Sequence, residues 1–295
     1  MRIISKFITA IILVLLSINI AEAKDGTEPI RVLIIDGQNN HNWKVTTPIM
    51  VRALKSSDIF DVSVTTSPAK GKDLSDWNPD FSQYDVLVSN YNGDLWPENV
   101  RNNFTKFVEN GGGLVIVHAA NNSFREWDDY NKMIGLGGWG GRTEKDGPYI
   151  YFTDCCLVKD TSAGRGGSHG SQHEFQVQIR DAQHPITKGM PLVWLHTKDE
   201  LYDRLRGPAE NMHILATAYS DPSTNGTGRH EPIMMTLNYG KGRIFHTPMG
   251  HADYSMKCMG FIATLQRGTE WAATGNVSIP LPDNFPTALK PASID

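Results

Sequence analysis

From Arg31 to Asp36 the chain reads Arg-Val-Leu-Ile-Ile-Asp, and the run stops at Asp36-Gly37. A segment that is apolar at consecutive positions can be buried on both faces, so it predicts a parallel strand with a turn at its carboxyl end. Val45, Ile49, Val51 and Leu54 then recur at near-helical spacing, which predicts a helix over 45–56. Phe60 to Thr65 alternates like a strand, and Asp85 to Ser89 is a second consecutive apolar run. Pro97 suits the first turn of a helix whose Val100, Phe104, Phe107 and Val108 share one face. Asn110-Gly111-Gly112-Gly113 ends that helix, and Leu114 to Val117 forms the next strand, delivering His118 at its end. Strand–helix–strand alternation implies right-handed crossovers and a parallel sheet covered by helices on both faces.

After about residue 145 the pattern changes. His173 to Arg180 alternates polar and apolar residues, as a strand with one wetter face does. Ile214–Ala218, Ile233–Leu237 and Arg243–His246 are further strands, the last two joined by a hairpin turn at Asn238-Tyr239-Gly240-Lys241-Gly242. A final helix is predicted over 256–271, followed by an extended Pro-rich tail from Pro280. Glycine-rich stretches at 135–141 and 164–170 read as long loops, and on α/β scaffolds such loops shape binding sites. The whole describes one α/β domain over 24–295, with a core over about 31–272 and an added β-rich portion.

Composition adds exclusions. The 295 residues carry a net charge of −4, with neither a basic surplus that would suit nucleic acid nor an acidic run. At the N-terminus, Arg2 and Lys6 precede an apolar stretch from Phe7 to Ile20 and a small-x-small site at Ala21-Glu22-Ala23. That is the form of a cleavable signal peptide over 1–23, too short for a stable membrane anchor, so the protein is expected outside the bacterial cytoplasm. Of Cys155, Cys156 and Cys258, one of the adjacent pair could bridge to Cys258 in an oxidising compartment, or all could be thiols.

Several local signatures occur in order along the chain. They are Val32-Leu-Ile-Ile-Asp-Gly37 with His41-Asn-Trp43, Gly111-Gly-Gly-Leu-Val-Ile-Val-His118, and His184-Pro-Ile-Thr-Lys-Gly-Met-Pro191. Asp199-Glu200-Leu-Tyr202 and Tyr239-Gly-Lys-Gly-Arg-Ile-Phe-His246 with Gly250-His251 complete the set. Together they resemble the trehalose-utilisation (ThuA-like) family. The resemblance implies a flavodoxin-like, mostly parallel sheet of the class I glutamine amidotransferase type, and a link to bacterial sugar metabolism, including disaccharides and their 3-keto forms. Amidotransferases of that fold carry a cysteine on a sharp turn after a glycine-rich strand. Here the position holds His118, followed by Ala119-Ala120-Asn121-Asn122. An imidazole is no substitute for a thiolate attacking a carboxamide, so glutaminase activity is not expected.

Ligands of open parallel sheets bind outside the carboxyl ends of the strands. Asp36, His118 and His246 fall at predicted strand ends, with His41 and His251 in the loops beyond, so these groups are expected to face one crevice. Clustered imidazoles suit acid–base work on sugar hydroxyls or carbons beside a ketone, and they suit a divalent metal. His118, His251, His41 and Glu200 are the candidate catalytic residues, and His118, His251 and His173 the candidate metal donors. Of Asp199 and Glu200, adjacent residues on a strand face opposite sides, and Glu200 is taken as the one in the crevice. Trp43, Trp139 and Tyr202 offer rings for a pyranose, Arg142 a donor to its hydroxyls, and Asp36 and His246 further substrate contacts. His184, before Pro185, reads as structural, and His169, His213 and His230 as solvent-facing or structural. The expected function is carbohydrate processing with a small-molecule sugar as partner, and the alternative is a non-catalytic sugar-binding or interaction module.

Overall fold

The computed structural model describes residues 28–153 and 156–294. The signal-like segment and Cys155 lie outside the described residues. The first half follows the predicted alternation: β1 (Ile30–Asp36), α1 (Trp43–Lys55), β2 (Phe60–Thr66), β3 (Val86–Ser89), α2 (Glu98–Glu109) and β4 (Gly113–Val117). A short α3 (Asp128–Ile134) follows, then β5 (Tyr149–Thr153), β6 (Cys156–Asp160), β7 (Ser168–His169), β8 (His173–Ile179), β9 (Val193–Asp199) and β10 (Tyr202–Asp203). The chain closes with β11 (Met212–Ser220), β12 (Arg229–Tyr239), β13 (Gly242–Thr247), α4 (Asp253–Met256) and α5 (Met259–Thr274). The single helix predicted over 256–271 is thus two, because Cys258 adopts an extended conformation between them.

The strands β2-β1-β3-β4-β13 lie side by side and pair in parallel. From β13 onward the same sheet continues through β12, β11, β8 and β9, with β5 and β6 branching from β12, and every one of these pairings is antiparallel. The result is a mixed α/β sheet. Parallel pairing is confined to five strands, so the expected mostly parallel sheet describes only that half, and the β-rich portion extends it. Consecutive apolar residues do what two-sided burial requires. Val32 and Ile34 pack with α1 and α5 on one face, while Leu33 and Ile35 pack with α2 and α3 on the other. Each such fully buried branched side chain is worth about 1.5–3 kcal/mol relative to exposure.

Helix α5 is buried nearly all round, so its polar groups need internal partners. Arg267 donates to the carbonyls of Pro185, Ile186, Lys188 and Ile279, at 2.6–2.8 Å. The His184–Pro191 signature is therefore a turn clamped by one guanidinium, and His184 packs on Trp271 at 5.0 Å as a structural residue. Cys258 is a buried thiol. None of the described helices is long and apolar enough to cross a membrane.

Candidate functional site

The carboxyl end of β4 runs straight into His118, whose φ of 47° puts a non-glycine residue in the left-handed region. Such a backbone costs on the order of 1–3 kcal/mol and persists only where its surroundings hold it. Here Nδ1 of the buried ring donates to the Pro248 carbonyl at 2.6 Å, which leaves Nε2 as the unprotonated nitrogen. That nitrogen is buried and has no hydrogen-bond partner. It points toward Glu200, 3.8 Å from Oε2. Burial pushes the imidazole down to about 3, so it is neutral at any working pH.

Glu200 is the centre of the arrangement. Besides His118, its Oε2 lies 3.0 Å from His251 Nδ1, 3.8 Å from His41 Nε2 and 3.8 Å from His169 Nε2. Burial pushes the carboxyl up, but the contacts with His251 and His41 and the neighbouring imidazole charge outweigh it and hold it far below the ordinary carboxylate range. Each imidazole is oriented from behind. His41 Nδ1 sits 3.2 Å from Asn39 Oδ1, and His169 Nδ1 donates to the Gly170 carbonyl at 2.8 Å. Gln172 Nε2 is 3.0 Å from His251 Nε2 and 3.2 Å from Glu200 Oε1.

Asp199 organises the loop from beneath. Its fully buried carboxylate accepts the backbone N–H groups of Glu200, Gly250 and His251, at 2.8, 2.8 and 3.0 Å, and His196 Nε2 donates to it at 2.9 Å. The adjacent carboxylates divide the work at the end of β9: Glu200 lines the cleft, and Asp199 faces the protein and fixes the backbone that carries Glu200 and His251. Gly250, with φ of 105°, has its absent Cβ direction filled by Phe261 and Met256, so its role is close packing inside the protein and not approach to a ligand.

Above the cluster opens a cleft of about 430 Å³, within the range of small-molecule sites. His41, His169 and Glu200 form its floor, Trp139 and Tyr202 its aromatic wall, and the carboxamides of Asn40, Asn92 and Asn122 its polar rim. Tyr202 lies 4.1 Å from the His118 ring and 4.6 Å from Trp139, centroid to centroid. The buried Oδ1 of Asn122 has no hydrogen-bond partner. Trp139, held at φ of 53°, also borders a second hollow of about 410 Å³ beside Arg165 and the 164–170 loop.

Of the residues predicted from sequence, His118, His251, His41, Glu200, Trp139 and Tyr202 come together. His246 does not. It sits within β13 opposite Ile116, one position short of the strand end, and its ring points into the core, donating to the Ile134 carbonyl at 2.8 Å. Arg142 is also buried, and its guanidinium donates to the carbonyls of Asn122, Ser123 and Gly138 and to Asn131 Oδ1, bracing the glycine-rich loop instead of meeting a sugar. Asp36 is buried and accepts from Thr66 Oγ1 at 2.7 Å, outside the cleft lining. Trp43 lines an adjacent hollow with Asn39 and Asn40. His173 donates to the Ser171 carbonyl at 2.7 Å and is not one of the converging donors. Sequence reasoning missed His169, Gln172 and the three asparagines. The 164–170 glycine stretch was the available signal for His169.

The donor atoms of His41, His118, Glu200 and His251 all lie within 4.8 Å of one another, a spacing that one small cation can bridge. The model of the trehalose utilisation family matches residues 31–272. A crystal structure of a ThuA-like protein from Parabacteroides merdae is 51% identical, with a TM-score of 0.88 over 90% of this chain and 98% of that one. A ThuA-like protein from Bacteroides uniformis is 18% identical, with a TM-score of 0.59 over 87% and 98% of the two chains, a likeness of fold alone. No curated protein matches. The family match runs through the strand that delivers His118, the Asp199-Glu200 corner and the loop that carries His251, and the chain belongs to the trehalose utilisation (ThuA) family.

Proposed function

We propose that the protein is an exported enzyme that processes a carbohydrate, a disaccharide or an oxidised keto-glycoside, in the cleft above Glu200. The observation that carries this reading is the convergence of four imidazoles on one carboxylate at the floor of a polar, aromatic-walled cleft. Structural ion pairs do not need four histidines, whereas work on hydroxyls uses gathered imidazole nitrogens as proton acceptors, proton donors or metal ligands. Trp139 and Tyr202 offer ring faces, and the Asn40, Asn92 and Asn122 side chains offer both donors and acceptors, which suits the alternating hydroxyls of a pyranose. The family's carbohydrate association supplies the substrate class.

The parallel order β2-β1-β3-β4-β13 supports a flavodoxin-like, amidotransferase-type ancestry. So does the left-handed turn at His118, placed where such enzymes hold their nucleophile. With an imidazole at that turn, glutamine hydrolysis is not the retained activity. Export rests on the Ala21-Glu22-Ala23 site.

The test is incubation of the mature chain with disaccharides and their 3-keto derivatives, read by mass spectrometry. Conversion of one sugar is expected. His118→Asn, which tolerates the left-handed backbone, is expected to lower turnover at least 100-fold, the scale of losing a group positioned at the reacting centre. Full activity in that variant sinks the assignment. No conversion, with saturable binding by calorimetry, would make the protein a sugar-binding module.

A further inference from the structure

We propose that His41 Nε2, His118 Nε2, His251 Nδ1 and Glu200 Oε2 are the ligands of one divalent first-row transition metal, with its remaining coordination position open to the cleft. The inference deepens the reading of this site as catalytic and rests on the same residues. Its first support is distance. The four donor atoms lie within 4.8 Å of one another, and metal–ligand bonds of about 2.0–2.2 Å place donors roughly 3–4.4 Å apart around a shared ion, so the widest pair has to close by only about 0.4 Å.

The second support is the state of the nitrogens. His118 Nε2 and His251 Nδ1 are buried and have no hydrogen-bond partner. His251 Nδ1 is only 3.0 Å from Glu200 Oε2, yet it is not aligned for an N–H···O bond. Two buried nitrogens without hydrogen bonds, facing one carboxylate oxygen, are costly unless a third body joins them. A cation does so, and it also neutralises the largely buried Glu200 carboxylate.

The third support is what stands behind the ligands. Metal-binding histidines use their other ring nitrogen as a donor to a carbonyl or carboxylate. His118 does this to Pro248 and His41 to Asn39 Oδ1. For His251 the outer nitrogen meets Gln172, whose amide nitrogen is the nearer atom at 3.0 Å, so metal binding requires that carboxamide to present its oxygen instead. Asp199 fixes the backbone of His251 and Glu200 whatever the metal state. A set of three imidazoles and one carboxylate favours zinc, manganese, cobalt or iron over calcium or magnesium, whose sites are built from oxygen. His169, 3.8 Å from Glu200 and more exposed than the four ligands, remains a non-ligand imidazole in the cleft floor.

The test uses the whole mature protein, stripped with chelator and titrated with Zn²⁺, Mn²⁺, Co²⁺ and Mg²⁺ by calorimetry, with bound metal counted by elemental mass spectrometry. One equivalent of a transition ion per chain is expected, and Co²⁺ should give visible absorption of a nitrogen–oxygen site. His118→Asn, His251→Ala and Glu200→Gln should each weaken binding at least tenfold, while His173→Ala, outside the cluster, should leave it unchanged. Circular dichroism and melting of each variant separate lost binding from lost fold. Failure of the wild type to bind any of the three transition ions stoichiometrically, or binding that survives His118→Asn and Glu200→Gln in folded protein, overturns the proposal. Sugar turnover by metal-free protein would do the same and leave the carbohydrate reading standing. A bound metal with no sugar converted would do the reverse.

Discussion

One carboxylate shows how the site is held. Asp199 accepts three backbone N–H groups and the His196 ring, with no exposure to water. Burial opposes the ionised form, and the His196 contact outweighs it and holds the carboxyl below its ordinary range. Asp199→Asn keeps the shape but loses the charge and turns one acceptor into a donor facing the donating backbone. A buried charge network broken on one side loses about 3–5 kcal/mol. We expect a loss of that size in urea denaturation at pH 7, with metal affinity and turnover falling together about 10–100-fold in the protein that remains folded. A variant of wild-type stability would show that the backbone at His251 does not depend on this residue. At this scale the sequence was legible where chemistry and chain position coincided: His118 at a strand end, His251 after a glycine, Glu200 beside Asp199. His246 misled because a histidine near a strand end looks the same whether it is the last inward residue or the first one past the sheet. His169 was hidden because its strand, β7, is two residues long and carries no periodic signal.

Elements are held by equally specific polar contacts. Arg267 on α5 is the main anchor of the 184–191 turn, through three carbonyls there and one at Ile279. Lysine cannot reproduce a planar fork that serves several acceptors. Arg267→Lys is expected to destabilise the chain by about 2–4 kcal/mol, the cost of leaving buried carbonyls without donors. Kinetics measured well below the melting temperature should be unchanged, since the turn is not part of the cleft lining. A fall in turnover without a fall in stability would place the turn in the site instead. The parallel strands were legible because full burial makes them consecutively apolar. Strand β9 was not, because its inward positions are Trp194 and His196, with Asp199 at the end, and polar groups bonded inside the protein erase the hydrophobic period. Strands β7 and β10, two residues each, give too few residues for a period to show.

Across the whole molecule, two buried groups outside the cleft lining make stability depend on pH in opposite directions. Burial raises Glu231 to about 7, with Asp203 adding to it against the hydrogen bond from Thr227. Burial lowers His246 to about 4. Glu231 binds its proton more tightly when folded, so its contribution is complete below the unfolded value near 4.5 and is lost as pH rises through 7. His246 binds its proton less tightly when folded, so its contribution is complete above the unfolded value near 6.5 and is lost as pH falls through 4. Between about pH 4.5 and 6.5 the two slopes oppose each other, and above that window Glu231 acts alone. Glu231→Gln keeps the shape and the acceptor oxygen for Thr227 while removing the titration. The stability difference between variant and wild type cancels every other group, and a shift of about 2.5 pH units corresponds to roughly 3 kcal/mol. The variant should therefore gain on wild type by roughly 3 kcal/mol between pH 4.5 and pH 8, with most of the gain made below pH 7. A difference that stays flat across that range would mean that Glu231 reaches water, or is ionised in the folded chain, and that the core beside Asp203 is more open than its burial indicates.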